Sequence, residues 1–342
     1  SSLWTERHRG IIQGLPREKA SERINEEDLH NLFHNDPDQG EGDWTLSMRS
    51  GRAVQSLFSH PPGKYLIFTH GGILNKALHN IFGLKTDNAQ GGLYFVLQNT
   101  CTIEIEYSLE RHQWALLNYR QPKYVKPENQ PPPDLYRFVF VRHGESEGNV
   151  RREFQGQTDT ALTSLGQDQI RRIGTILKKN GYQFDQIIAS PQERASLTAE
   201  QIAAAFNLNV EYDSRLKEVD NGLLAGTTLE ESQDVVPVRH DHHNPYHPVG
   251  DTGESWFEHY LRAGEFLDDL MKRPPGTYAV VSHGALLNSF LRSIMGIIPQ
   301  PSKHPGLFYF KNTGFAELTF SRSANLWTFN ALQDPNQTEE HD

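Results

Sequence analysis

Apolar residues in the second part of this chain fall into short unbroken runs, and longer stretches of helical periodicity separate them. Short apolar runs bounded by turn residues read as buried strands. They predict strands over 137–141, 186–189 and 277–282, with an edge strand over 209–212. The intervening periodicity predicts helices over 164–179, 192–206, 256–272 and 285–295, and the final run over 306–329 is β-rich. Ser190 and Pro191 open the second of these helices, where proline is preorganised for the first turn. Strands alternating with helices imply a mainly parallel sheet covered on both faces, a three-layer α/β/α sandwich.

The same pattern occurs earlier in the chain, in incomplete form. TERHRGIIQG from Thr5 aligns with KEVDNGLLAG from Lys217, and PPGKYLIFTHGGILNKAL from Pro61 parallels PPGTYAVVSHGALLNSFL from Pro274. GDWTLSMRSGRAVQSL from Gly42 and YFVLQNTCTIEIEY from Tyr94 find counterparts from Glu254 and Phe308, in the same order. A 29-residue spacing separates His70 from Asn99 and His283 from Asn312. Matched blocks in one order over about 120 residues indicate an internal repeat rather than generic patterning. Between the units, residues 122–134 are Pro-rich and polar and read as an extended linker. This gives a partial unit over 1–121, a complete one over 135–334, and an acidic tail over 335–342.

The chain has 342 residues, enough for about two domains. A net charge of −10 argues against a nucleic-acid partner, and no apolar run reaches the length of a membrane span. The start, SSLWTERHRG, does not read as a signal peptide. Cys101 is the single cysteine, which excludes an intrachain disulfide and points to a reducing, cytoplasmic setting.

Candidate chemistry concentrates at the predicted strand ends. The octet RHGESEGN, 142–149, follows the run 136–141 directly. Ligands of open α/β sheets bind at the carboxyl ends of strands. Arg142 offers a planar fork of donors suited to phosphate. His143 offers an imidazole nitrogen able to attack phosphorus, and Gly144 permits close backbone approach. Arg194 lies about one turn inside the Ser-Pro helix. A third strand ends at His283-Gly284. Two histidines and two arginines at one sheet edge form a cationic cluster that a dianion would satisfy. Histidine at a strand end is more often a packing or capping residue; two in the same strand-His-Gly-helix setting make that reading weak.

These blocks resemble the histidine phosphatase superfamily, also called phosphoglycerate mutase-like. The resemblance covers about 136–332 and rests on RHGESEGN, QGQTDTALTSLG from Gln155, ASPQERASLTA, LKEVDNGLLAG from Leu216, GES at Gly253 and VSHG. It implies that His143 is the nucleophile, transiently phosphorylated. It implies phosphate binding by Arg142, Asn149, Gln155, Arg194 and His283, and proton donation by Glu218. Nearby cations favour the neutral, nucleophilic imidazole. No metal and no cofactor are expected. In the N-terminal unit Glu6 matches the proton donor and His70 the late histidine, but no Arg-His-Gly strand accompanies them. TERHRGIIQGL is closer to the mutase-type version of its stretch than the second unit is. The unit is expected to be inactive alone, the remainder of a longer protein or processed product. A partner supplying the missing half, or a purely structural remnant, are the alternatives. An exposed half-sheet needs a cover, supplied by the second unit or by a second copy of the chain, and a homodimer or a completing partner is expected.

The insert before GES carries His240, His242, His243 and His247. Its Pro and Gly content reads as a polar substrate lid rather than the firm frame a zinc site needs. Mutase-type relatives carry a longer insert between the Glu218 and Gly253 positions, so the short one favours a phosphatase. The leading expectation is a metal-independent phosphomonoesterase acting on a small phosphorylated metabolite. Phosphoglycerate mutase-type transfer, and a phosphate-binding regulatory module with a pseudo-enzyme N-terminal unit, are the rivals.

Overall fold

The computed structural model describes residues 2–22, 40–84, 92–122, 134–236, 244–299 and 306–336. In chain order the N-terminal unit contains α1 (Arg17–Ser21), α2 (Asp43–Leu57), α3 (Gly71–Phe82), β1 (Gly92–Phe95), β2 (Thr102–Ser108) and β3 (Gln113–Arg120). The second unit opens with β4 (Leu135–Arg142), α4 (Glu147–Val150), α5 (Ser164–Lys179), β5 (Gln186–Ala189), α6 (Glu193–Phe206) and β6 (Val210–Tyr212). It continues with α7 (Ser232–Val235), α8 (Trp256–Met271), β7 (Thr277–Ser282), α9 (Gly284–Met295), β8 (Leu307–Phe308), β9 (Phe315–Ser321) and β10 (Leu326–Gln333). The expected strands and helices over 137–295 fall within one or two residues of these bounds, and the β-rich run expected over 306–329 resolves into β8, β9 and β10, the last ending four residues later at Gln333.

The ten strands among the described residues join one mixed sheet, eight of them in the order β2-β3-β10-β9-β4-β7-β5-β6, with β1 and β8 off this path. β4, β7, β5 and β6 are mutually parallel, and β9 closes antiparallel on β4. The first strand of the second unit thus pairs with the strands that follow it. α5 and α6 cover one face, packing Ile173, Leu177, Ala199 and Ile202 against Val139, Val141 and Val281. α8 and α9 contribute Phe266 and Phe290 to the core on Phe138 and Phe140. α5 earns its place through a stripe of buried residues, Ile170, Ile173, Gly174 and Leu177, started by Thr163, whose hydroxyl accepts from Gly166 N.

The N-terminal unit enters the same sheet and core. β3 pairs with β10 antiparallel. Two short parallel ladders cross between units: β1 on β10 and β8 on β3. Phe82 stacks on Phe308 with centroids 4.9 Å apart, and Tyr119 and Phe95 pack on Phe329. Aromatic burial of this kind dominates interface energetics. The segment 64–69, equivalent to β7, has no strand partner among the described residues, and Leu66 and Phe68 are 82% and 87% exposed.

Candidate active site

Three parallel strands deliver the site residues to one edge. β4 ends at Arg142 and leads into His143; β5 ends before Ser190 and α6; β7 ends before His283, which caps α9. His143 N donates to Ser282 O at 3.0 Å and Thr313 N donates to His143 O at 3.1 Å, so the backbone at His143 is pinned on both sides. Gly144 is required here. A Cβ on it would meet Ile170 Cγ2 at 2.6 Å and Gly166 O at 2.9 Å.

His143 is 3% exposed, and its Nδ1 lies 2.6 Å from Gly144 O. A carbonyl oxygen only accepts, so Nδ1 carries the proton and the lone pair lies on Nε2. The ring sits 5.1 Å from that of His283, centroid to centroid. Burial holds His143 well below the ordinary imidazole value, and Arg142 and Arg194 push it further the same way. His283 is depressed too, first by burial and then by Arg194, His143 and Arg142. Both imidazoles are therefore neutral at pH 7.

The two arginines are anchored by backbone oxygens. Arg142 Nη1 donates to Phe310 O at 2.7 Å. Arg194, 1% exposed, donates to Thr158 O at 2.7 Å and Gly156 O at 2.9 Å. Burial lowers the pKa of both. Arg142 Nε, Arg194 Nε and His283 Nδ1 are buried with no hydrogen-bond partner among the described residues. His283 Nε2 lies 2.9 Å from Ser190 Oγ. Unsatisfied buried polar groups of this kind carry a desolvation cost, and an anion would relieve that of the two arginine donors.

Asn149 and Gln155 lie in the loop behind His143. Asn149 Oδ1 accepts from Ser146 N, Ser146 Oγ and Asn312 Nδ2. Gln155 Oε1 accepts from Ser146 Oγ at 2.8 Å and Thr160 Oγ1 at 2.5 Å. Glu218 is fixed by contacts of its carboxylate and of its backbone. Its carboxylate accepts from Val219 N at 3.0 Å and Ala285 N at 3.2 Å, and its own amide donates to Gln192 Oε1 at 2.7 Å. Its charge acts on both Arg142 and Arg194.

Arg142, His143, Arg194, Glu218 and His283 thus converge on one sheet edge, with Asn149 and Gln155 in the supporting loop. Sequence reasoning missed three participants. Asn312 Nδ2 donates to His143 O at 3.2 Å as well as to Asn149; its Lys-Asn-Thr setting stood out only as part of the repeat. Gln192 joins the Arg194 loop to Glu218, donating to Gly156 O. Thr198 accepts from Gly144 N at 3.0 Å. The N-terminal counterparts do not converge on this edge. Glu6 Oε1 accepts from Arg7 N at 2.8 Å, repeating the Glu218–Val219 contact, but Glu6 and His70 are exposed. His247 meets Asp251 at 3.1 Å, while His240, His242 and His243 lie outside the described residues. Among the described residues no helix is long and apolar enough to cross a membrane.

Comparison with known proteins places this geometry in context. Phosphoserine phosphatase 1 of Hydrogenobacter thermophilus is 32% identical over 166 residues, 48% of this chain and 78% of that protein. The Salmonella arizonae protein named "Probable phosphoglycerate mutase GpmB" is 34% identical over 172 residues, 48% of this chain and 76% of the relative. The solved structure of Bacillus stearothermophilus YhfR is 26% identical, with a TM-score of 0.49, covering 57% of this chain and 94% of that one. The sequence profile described as "Histidine phosphatase superfamily (branch 1)" matches residues 2–120 and 138–334. The chain is a phosphoryl-transfer enzyme and belongs to the histidine phosphatase superfamily.

Proposed function

We propose that the chain hydrolyses phosphomonoesters of small metabolites through a phosphohistidine on His143, with no metal in the reaction. The observation that carries this reading is the set of buried polar atoms without a partner among the described residues, Arg142 Nε, Arg194 Nε and His283 Nδ1, gathered around a neutral His143. His143 Nε2 attacks phosphorus, and the bond to the leaving oxygen breaks. Glu218 protonates that oxygen. The arginines and His283 hold the equatorial oxygens as charge redistributes. Asn149 and Gln155, their side-chain oxygens held by Ser146, Thr160 and Asn312, add amide donors to the phosphate. Water, with Glu218 now acting as base, then cleaves the P–N bond and releases phosphate.

Two relatives with similar identity carry phosphatase and mutase names, so mutase-type transfer is the alternative to be tested. The short insert between Glu218 and Gly253 supports the phosphatase. A panel of phosphorylated metabolites assayed for phosphate release, with and without 2,3-bisphosphoglycerate, separates the two. Release independent of bisphosphate is expected; phosphoryl exchange that requires it would favour the mutase. Within this reading the unit 1–121 has no turnover of its own, since Glu6 and His70 lack a nucleophile. Its exposed strand-like segment is covered in the working protein by a second copy or a completing partner. The expected setting is cytoplasmic, in keeping with the single cysteine.

A further inference from the structure

Arg262 on α8 adds its charge to the field that lowers the His283 pKa, and its hydrogen bonds hold the segment that carries Glu218. Its Nη1 donates to Arg215 O at 2.6 Å and Lys217 O at 2.8 Å, and its Nη2 donates to Glu218 O at 3.4 Å. Glu254 aims the guanidinium, accepting from Nε at 2.8 Å and from Nη2 at 2.6 Å. Both side chains are largely shielded, at 18% and 15% exposure. Glu254 N in turn donates to Asp220 O at 3.0 Å. One planar fork therefore ties three carbonyls of the acid-bearing segment to the α8 start, which a lysine ammonium has no geometry to do.

The N-terminal unit builds the same device independently. Arg49 donates to Leu3 O at 3.0 Å, Thr5 O at 2.8 Å and Glu6 O at 3.2 Å, and Glu41 accepts from its Nε at 2.6 Å and Nη2 at 2.5 Å. Arg49 corresponds to Arg262, Glu41 to Glu254 and Glu6 to Glu218 in the repeat. The arginine follows the acid-bearing segment in both units although the two segments differ in sequence around it. What the two clamps share is the backbone they grip.

We infer that Arg262, oriented by Glu254, is a positioning residue that fixes the Glu218 carboxyl where the leaving oxygen departs. The inference rests on Glu218 as the proton donor. Loss of the fork lets the carboxyl drift while Arg142, Arg194 and His283 keep their anchors. The consequence is selective. Esters with poor leaving groups need the proton; an activated aryl ester hardly does.

The test compares phosphoserine with p-nitrophenyl phosphate in single turnovers of the full chain. Arg262→Lys should slow phosphoserine cleavage roughly 10- to 100-fold, the scale of an ångström-sized misplacement, while aryl cleavage changes about twofold or less. Guanidinium added to Arg262→Ala should restore part of the phosphoserine rate. Arg49→Lys makes the same chemical change in the other clamp and should leave both rates unaltered. Equal losses on both substrates, or no loss on either, would overturn the inference. Glu218→Gln separates this from the reading it rests on. If that variant shows no leaving-group dependence, the assignment of Glu218 fails. If it does and Arg262→Lys does not, the clamp fails alone. In the Glu218→Gln background, Arg262→Lys should add no further leaving-group dependence.

Discussion

Tyr119 and Leu332 face each other across the β3–β10 ladder, and they are the same position of the two repeats. The offset of 213 residues between them also separates His70 from His283 and Arg49 from Arg262. The pair therefore lies on a pseudo-two-fold axis. The crossing ladders obey the same axis: Tyr94 pairs with Thr328, and their equivalents Leu307 and Ala115 pair with each other. The two units meet as two subunits of an isologous dimer would.

That symmetry has a consequence for the isolated second unit. A fragment of residues 134–342 keeps β4, β5, β7 and every residue of the candidate site, so its turnover should stay within a few-fold of the full chain. It also bares Phe308, Phe329 and the β10 edge, so it should self-associate with Leu332 on the new axis. Sedimentation and phosphatase assays check both. A fragment of residues 1–121 should aggregate and show no phosphatase activity. A well-folded, active 1–121 fragment would contradict the proposed division of labour.

Acid should destabilise the fold. His143, His259 and His283 are buried and held well below the ordinary value of 6.5, in each case by burial first. Unfolded, each binds a proton near that value; folded, each stays neutral to lower pH. The unfolded state thus binds more protons below about pH 6.5, and stability falls as pH drops through that point. Urea midpoints at pH 8.0, 6.5 and 5.5 should decline in that order. Inorganic phosphate should recover part of the loss by neutralising Arg142 and Arg194. A midpoint that held steady or rose on acidification would contradict the buried neutral imidazoles.

Chelation should have no effect on turnover. Arg142, Arg194 and His283 supply the positive field at the phosphate, so activity should persist after prolonged treatment with EDTA. Loss of activity, with recovery on zinc addition, would instead implicate the histidine-rich insert around His247.

Gly144 should tolerate no side chain. With Ile170 Cγ2 2.6 Å and Gly166 O 2.9 Å from the position of a Cβ, Gly144→Ala forces the backbone beside the nucleophile to move. Overpacking of this kind costs about 1–3 kcal/mol, and displacement of His143 should lower kcat by roughly 100-fold. Thermal unfolding and steady-state kinetics test the pair of effects. Unchanged values for both would mean that the loop is looser than its contacts indicate.

The second unit was legible because its signals are local. Strands such as 277–282 are continuous apolar runs, and helices such as 164–179 have one buried stripe and a threonine cap, so period and punctuation agree. The candidate site was legible because His143 and His283 each end a strand, which fixes their position before any tertiary contact is known. That the second unit could cover the half-sheet of the first was legible, but the strand pairing that joins them into one sheet was not. The β3–β10 and crossing ladders are long-range pairings between edges, and alternation along a strand does not say which edge it meets. Asn312, Gln192 and Arg262 escaped for a related reason. Each acts on a backbone carbonyl or amide far away in sequence, and backbone partners leave no mark on composition or spacing.

The central claim is that His143 carries the phosphoryl group. Rapid acid-free quenching of the full chain with a radiolabelled aryl phosphate tests it most directly. One label per chain is expected, acid-labile and alkali-stable as a phosphohistidine is, mapping to the peptide that contains His143 and absent from His143→Ala, whose kcat should fall roughly 1000-fold or more. Label retained in His143→Ala, or near-normal turnover in that variant, would contradict the account.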